Sequence, residues 1–458
     1  MIQKIELLLT SIGNQSTLGK LLIPLITLFL IIIGVVLFQG GVTHLVLIIA
    51  AGLGFYMALN IGANDVANNM GPAVGSKAIT LGGAIIIAII FEAAGAIIAG
   101  GDVVNTIKGG IIDGSAVQDP KVFIAIMLAT LFGSALWINI ATVTKSPVSA
   151  THSVIGGLIG AGIIALGVDV IAWSTIGQIA LSWVISPLLG GGIAAFLLWS
   201  IDKNIMHKDS RHDAAQVWVP VYVALMSGAF ASYLLMKGFK QIIHIDQTLI
   251  FAIGFCVALL SYVIVKKLLI KYSGVFKNSK KSINTLFNLP LVFSAALLSF
   301  AHGANDVANA IGPFAAIYDT VSSGGIAESA GIPLWIMLIG ALGLAIGLGI
   351  YGSGLIKTVG NEITKLNQIR AYCVALSAAI TVIIASTLGL PVSSTHIAIG
   401  GIFGIGLYRE IGRKMGPKTN KQYLDKSILK QIILSWIITL PASGIIAAIS
   451  YTSIIYFI

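Results

Sequence analysis

The chain has 458 residues, 57% of them hydrophobic and only 10% charged, with a formal net charge of +10. Soluble domains carry roughly a quarter charged residues, so a soluble enzyme or binding domain is excluded. Many apolar runs approach or exceed the ~20 residues that cross ~30 Å of hydrocarbon, and no alternating pattern of the β-barrel kind occurs, so the membrane spans are helical.

In chain order, the first long apolar run, 21–39, follows Lys4, Glu6 and Lys20 without a small-residue cleavage site, and reads as a retained helix. Further spans are expected at 43–60, 78–100 and 121–143, then a polar-tipped hairpin region at 145–168 and a span at 173–200. The remaining segments are 217–237, 248–266, 289–302, 333–352, 370–388, a second hairpin region at 389–408, and 429–457. Cys256 and Cys373 each sit in an apolar stretch and read as small core residues, not as a disulfide or metal pair. With an inward N-terminus, the loops near 202–216, 266–288, 357–370 and 409–430 all face the cytoplasm. They hold most of the Lys and Arg, among them Lys203, Arg211, Lys271, Lys281, Arg370 and Arg409. The outward loops hold Asp102, Asp113, Asp119, Asp319 and Glu328. This is the positive-inside pattern, so the basic loops are topology signals and lipid-headgroup neighbours, and nucleic acid is not a partner.

The most informative feature is a duplication. Gly62-Ala63-Asn64-Asp65-Val66-Ala67-Asn68 recurs letter for letter from Gly303 to Asn309. Each copy is followed by a second shared element, Pro147-Val148-Ser149-Ala150-Thr151-His152 and Pro391-Val392-Ser393-Ser394-Thr395-His396. The separation from Asn to Pro is 83 residues in the first case and 86 in the second. Counting crossings places the two copies in opposite directions through the bilayer, which predicts an inverted repeat with a site near the midplane. The fold expected is therefore all-α and polytopic, with about 11–13 membrane segments, broken helices and re-entrant hairpins. Residues 1–42 form an N-terminal extra helix, 43–200 the first repeat, 201–288 connecting helices and a basic loop, and 289–458 the second repeat.

Acids and amides at membrane depth are functional-site candidates. In Asn64, Asp65 and Asn68, and again in Asn305, Asp306 and Asn309, Gly and Pro72 or Pro313 permit unwinding that frees backbone carbonyls. Such oxygens suit Na+, the Asp alternatively carries a proton, and the bland alternative is a helix–helix hydrogen-bond cluster. In the second element, Pro followed by Ser or Thr starts and caps a helix, whose free N–H groups favour an anion. Ser149, Thr151, Ser393, Ser394 and Thr395 add hydroxyl donors; ordinary capping of a short loop is the alternative. Lys145 is the nearest cation and has no partner in the other repeat, where Gly389-Leu390 precedes Pro391. His152 and His396 read as loop-orienting through backbone hydrogen bonds, and lack the companions of a zinc site.

Both motif pairs, and the tail Trp436-Ile437-Ile438-Thr439-Leu440-Pro441-Ala442, resemble the signatures of the inorganic phosphate transporter (PiT) family from about residue 43 to the C-terminus. The resemblance implies a non-enzymatic secondary transporter in the plasma membrane, importing inorganic phosphate by symport with Na+ or H+. It implies no cofactor beyond the coupling ion, and a homodimer. It places ion and phosphate handling on Asn64, Asp65, Asn305 and Asp306, with the five hydroxyls around the anion. Glu92 also matches a family position, in cation coupling; its counterpart in the second repeat is Leu344, so the acid is unmatched, and simple pairing within the bundle is the alternative. A sulfate permease of the same architecture is the alternative function. A carboxylate facing the anion accepts a hydrogen bond from protonated phosphate and repels sulfate, so Asp65 and Asp306 favour phosphate. A channel would need a ring of charges from several subunits, and Ser149 with His152 does not assemble a hydrolase.

Overall fold

A computed structural model of the chain describes residues 42–144, 146, 148–238, 246–275, 278–326, 331–358, 366–414 and 426–458. Its helices are α1 (Val42–Gly75), α2 (Leu81–Ala99), α3 (Gly101–Gly109), α4 (Pro120–Val143), α5 (Ala150–Leu166), α6 (Trp173–Ile201) and α7 (Arg211–Gly238). They continue as α8 (Gln247–Lys271), α9 (Lys280–Leu286), α10 (Asn288–Ser323), α11 (Leu334–Thr358), α12 (Gln368–Thr387), α13 (Ser394–Lys414) and α14 (Lys426–Ile454). Among the described residues ten helices are long and apolar enough to cross a membrane, and α5 is a shorter apolar one. The expected span 21–39, Lys145 and Pro147 lie outside the described residues.

The halves interlock through glycine. In lipid there is no hydrophobic drive between helices, so small residues that let backbones touch supply the packing. A side chain at Gly62 of α1 would meet the Leu344 carbonyl of α11, and one at Gly347 of α11 would meet that of Leu59. The second half mirrors this: Gly303 of α10 lies on the Glu92 carbonyl of α2, and Gly95 on that of Phe300. The hairpin helices repeat the exchange, α5 packing on α14 through Gly156 and Gly160, and α13 on α6 through Gly400 and Gly404. Each half thus lends its helices to the other, and the carbonyls of Glu92 and Leu344 meet Gly303 and Gly62 in the same way.

Three expectations change. The Asn-Asp motifs do not unwind: α1 and α10 run helical through both copies and past Pro72 and Pro313, so the spans placed at 43–60 and 289–302 are far longer. The interruptions fall at the other motif, in 144–149 between α4 and α5 and in 388–393 between α12 and α13, where Gly389 turns with φ +67°. Regions 145–168 and 389–408 are therefore each one arm after a tip, and the hairpins are α4–α5 and α12–α13. Finally, Cys373 is buried as expected, but Cys256 is exposed on α8, whose apolar surface faces outward.

Candidate functional site

The hairpin tips are held by the asparagines that open each motif. Asn64 Nδ2 donates to Thr142 Oγ1 at 3.1 Å and to the Ser146 carbonyl at 3.3 Å, while its Oδ1 accepts from the Val148 N–H at 3.3 Å. Asn305 repeats this, donating to Ser386 Oγ at 3.1 Å and the Leu390 carbonyl at 3.2 Å and accepting from the Val392 N–H at 3.3 Å. Both ends of each amide are engaged with a tip, so these two asparagines position the break in their own hairpin. Ser149 and Ser393 cap the arms that follow, accepting from the His152 N–H at 3.2 Å and the His396 N–H at 3.4 Å. His152 orients the tip through the Ser149 hydroxyl, 2.8 Å from its Nδ1, rather than through a backbone group, and its ring stacks on Trp183 of α6.

The asparagines that close the motifs reach across to the opposite hairpin. Asn68 Nδ2 donates to Thr395 Oγ1 at 2.8 Å, and Asn309 Nδ2 to Thr151 Oγ1 at 3.3 Å. Thr151 in turn donates to the Val392 carbonyl at 3.0 Å, tying one tip to the other. The acids complete the arrangement: Thr395 donates to Asp65 and Ser394 to Asp306, each at 3.2 Å. All of these side chains are buried, none more than 6% exposed. Asp65, Asp306, Thr151, Ser394 and Thr395 therefore converge on one place between the two halves. Asn64, Asn305, Ser149 and Ser393 stand behind it as supports.

One residue at the centre lies outside the motifs as read from sequence. His302, one position before the second motif, puts Nε2 2.7 Å from Asp306 Oδ2 and 3.7 Å from Asp65 Oδ2, and Nδ1 3.2 Å from Glu92 Oε1. Asn69 Nδ2 holds the same Glu92 oxygen at 2.9 Å. The position equivalent to His302 in the first repeat is Ile61, so the unmatched acid and the unmatched imidazole answer one another. That shared asymmetry was the available signal.

Chemically, Asp65, His302 and Asp306 offer ligand atoms all within 4.8 Å of one another. Asp306 Oδ1, Glu92 Oε2 and Asn309 Oδ1 are buried acceptors without a hydrogen-bond partner among the described residues, and leaving such groups unmatched costs about 1–3 kcal/mol each, more for a charge. A donor set of carboxylate and amide oxygens fits a hard cation or a proton; the hydroxyls and tip N–H groups fit an oxyanion.

Comparison with known proteins agrees with this chemistry. Residues 61–447 match the family model described as PHO4, phosphate transporter family. A Helicobacter pylori protein named "Putative phosphate permease" is 52% identical over 412 residues, covering 89% of this chain and 77% of its own. A Pyrococcus furiosus protein of the same description is 37% identical, over 89% of this chain and 96% of its own. Among solved structures, one titled "The sodium-dependent phosphate transporter" superposes with a TM-score of 0.83 at 35% identity, over 90% of this chain and all of that one.

Proposed function

The chain belongs to the phosphate transporter family, whose members move phosphate across membranes rather than catalyse reactions, and from that premise we propose that it imports phosphate by symport with Na+. The observation that carries this reading is the charge of the site. Three carboxylates, Asp65, Asp306 and Glu92, surround one imidazole in a buried cluster. An oxyanion entering beside them meets net repulsion that water no longer screens. It becomes acceptable only when cations arrive with it, and that requirement is coupling. Asp65 and Asp306, with the amide oxygens of Asn68 and Asn309, hold the cation. The first-turn N–H groups of α5 and α13 hold the anion, and Thr151, Ser394 and Thr395 turn their hydroxyl protons to it from the Val392 carbonyl, Asp306 and Asp65. His302 is a poor ligand for a hard ion and serves as the counter-charge that shares the two acids. The sodium dependence of the 35% identical transporter supports Na+ over H+.

The reciprocal exchange of asparagines and glycines between the halves supports two repeats related by an in-plane pseudo-two-fold axis. In that arrangement the site lies on the axis and opens to either side as one half rocks against the other.

The test is radiolabelled phosphate uptake by purified protein in liposomes, under a Na+ gradient and separately under a pH gradient, with sulfate as competitor. A Na+ gradient alone should drive accumulation, and sulfate should not displace phosphate. In Asp65→Asn and Asp306→Asn proteins that remain folded, uptake should fall by about 10–100-fold, the equivalent of about 1.5–3 kcal/mol for a hydrogen bond to a charged group. Unchanged rate and ion dependence in both variants would sink the mechanism.

A further inference from the structure

On the reading that the hairpin tips bind the anion, we propose that Trp183 of α6 is a positioning residue for it, holding the two tips at one spacing while the anion lies between them. α6 carries three tryptophans. Trp173 and Trp199 stand near its two ends and are exposed, as in the aromatic belts of a membrane interface. Trp183 lies ten residues after Trp173, about 15 Å along the axis at 1.5 Å per residue, which is half of the ~30 Å of hydrocarbon. Leu181, Val184 and Ile185 beside it are exposed, whereas Trp183 is partly buried and packs on the core. An indole at that depth needs a partner for its N–H, and this one finds it at a tip. The sequence keeps such a residue in each repeat: Leu181-Ser182-Trp183-Val184-Ile185 returns as Leu434-Ser435-Trp436-Ile437-Ile438 on α14.

Trp183 touches both hairpins, each with a different part of its ring. Its face stacks on His152 in the first turn of α5, with ring centroids 3.7 Å apart and an interplanar angle of 26°. Its Nε1–H donates to the Pro391 carbonyl at 3.3 Å, in the tip between α12 and α13. Both contacts bear on the turns that face the anion. His152 Nδ1 lies 2.8 Å from the hydroxyl of Ser149, the cap of α5, and its ring lies 4.7 Å from that of His396 in the first turn of α13. Pro391 immediately precedes Val392, whose carbonyl accepts from Thr151 at 3.0 Å. α6 itself is seated on the second hairpin, Gly190 against Ile397 and Gly191 against Gly400 of α13. The indole is therefore presented to the first tip from a fixed base.

Thr151 and Trp183 both join the tips, but the anion affects them differently. Thr151 has one hydroxyl proton, and turning it to the anion releases the Val392 carbonyl. The indole rests on the Pro391 carbonyl and the His152 ring, neither of which donates to the anion, so its bridge persists in the loaded site. Removing it lets the tips part once Thr151 has turned, which weakens anion binding and leaves the cation-holding oxygens of Asp65 and Asp306 in place.

The test is phosphate uptake in liposomes under a Na+ gradient, taken to saturation for wild-type, Trp183→Ala and Trp183→Phe proteins, with Trp199→Ala as a control on the same helix. Trp183→Ala removes both the ring face and the donor, and should raise the phosphate KM by about tenfold or more. The maximal rate, and the half-saturating Na+ concentration at saturating phosphate, should stay as in the wild type. Trp183→Phe keeps a ring face without the donor and should raise KM by about 2–10-fold. Trp199→Ala should match the wild type. An unchanged KM in Trp183→Ala, or a fall in maximal rate alone, overturns the proposal, while Na+-driven uptake by the wild type leaves the transport reading standing. If the alanine protein does not fold, the phenylalanine protein decides, and an unchanged KM there overturns the proposal. Wild-type protein that takes up no phosphate under the Na+ gradient removes both the transport reading and the positioning role.

Discussion

Among the described residues His302 is the one imidazole that touches acids from both halves, and its removal is the sharpest change available at a single residue. With His302→Ala, Asp65, Asp306 and Glu92 keep their positions but lose the donor between them. Buried acceptors left in that state cost about 1–3 kcal/mol each, more when charged. The apparent melting temperature of the purified protein should drop by several degrees, and uptake should fall by at least about tenfold, if the loss is at least the ~1.4 kcal/mol that corresponds to a factor of ten. His302→Gln keeps a donor of similar reach to one acid only, so it should recover most of the stability and little of the uptake. Thermal unfolding and liposome uptake on the same preparations check both parts; equal recovery of the two would reduce His302 to a packing role. The acids and amides of this cluster were legible in the sequence because they are polar groups in hydrocarbon-length runs, repeated. The histidine was harder to read, because its only signal is that neither it nor Glu92 has a counterpart in the other repeat, and an unmatched pair is not a repeated pattern. Asp306, its nearest partner, lies four residues on in the motif itself, but the other two lie 237 residues back at Asp65 and 210 back at Glu92.

At the scale of elements, the polar motifs ride on helices that stay intact because their side chains find partners elsewhere. Asn64 and Asn305 satisfy the backbone of the tips with their side chains, so the helices that carry them need not unwind to supply polar groups there. Glycine within such a motif suggests a break locally, but here Gly62 and Gly303 serve the approach of a neighbouring helix, which only the tertiary structure reveals. The Pro-Val-Ser-x-Thr-His tips were legible because proline and a capping hydroxyl are local signals. The pairing of α4 with α5 and of α12 with α13 was not, since an arm of a re-entrant hairpin is as apolar as a full span. The packing role makes its own prediction. Gly62→Ala or Gly303→Ala drives a methyl into the backbone of Leu344 or Glu92, and overpacking of this kind costs about 1–3 kcal/mol. Gly177→Ala on α6, where nothing lies within 4 Å, should instead be neutral or stabilising by up to about 1 kcal/mol. Thermal unfolding of the three variants should separate Gly177→Ala from the other two. The buried pair of Lys108 on α3 with Asp319 on α10 fixes a second junction; Lys108→Ala leaves an uncompensated buried charge, at about 3–5 kcal/mol. The double variant Lys108→Ala/Asp319→Ala should be the more stable of the two in the same assay.

The molecule as a whole is organised by exchange between its halves, and the direction of each half in the bilayer can be read from where its charges lie. Charge points to opposite directions for the two halves. Gln368, beside Arg370 at the start of α12, donates to the Ser76 carbonyl at 3.1 Å, so the end of α1 lies on the face that carries the arginines. The end of α10 lies instead one turn beyond the Asp319–Lys108 pair, away from those arginines in the chain. If the arginine-bearing face is cytoplasmic, as the distribution of Lys and Arg indicates, then Lys77 and Ser323, which follow or end the two motif helices, lie on opposite sides of the membrane. Both positions are exposed. In a background of Cys256→Ser/Cys373→Ser, a membrane-impermeant maleimide added to intact cells should label Ser323→Cys, and should label Lys77→Cys only after permeabilisation. Labelling of both from the same side would show the two motif helices to be parallel. The alternating opening of one site by two inverted halves would then have to be abandoned, while the convergence of Asp65, Asp306 and His302 would stand unchanged. The reverse pattern, Lys77→Cys outside and Ser323→Cys inside, would keep the inverted repeat and instead turn the whole molecule over, placing its basic face outside the cell.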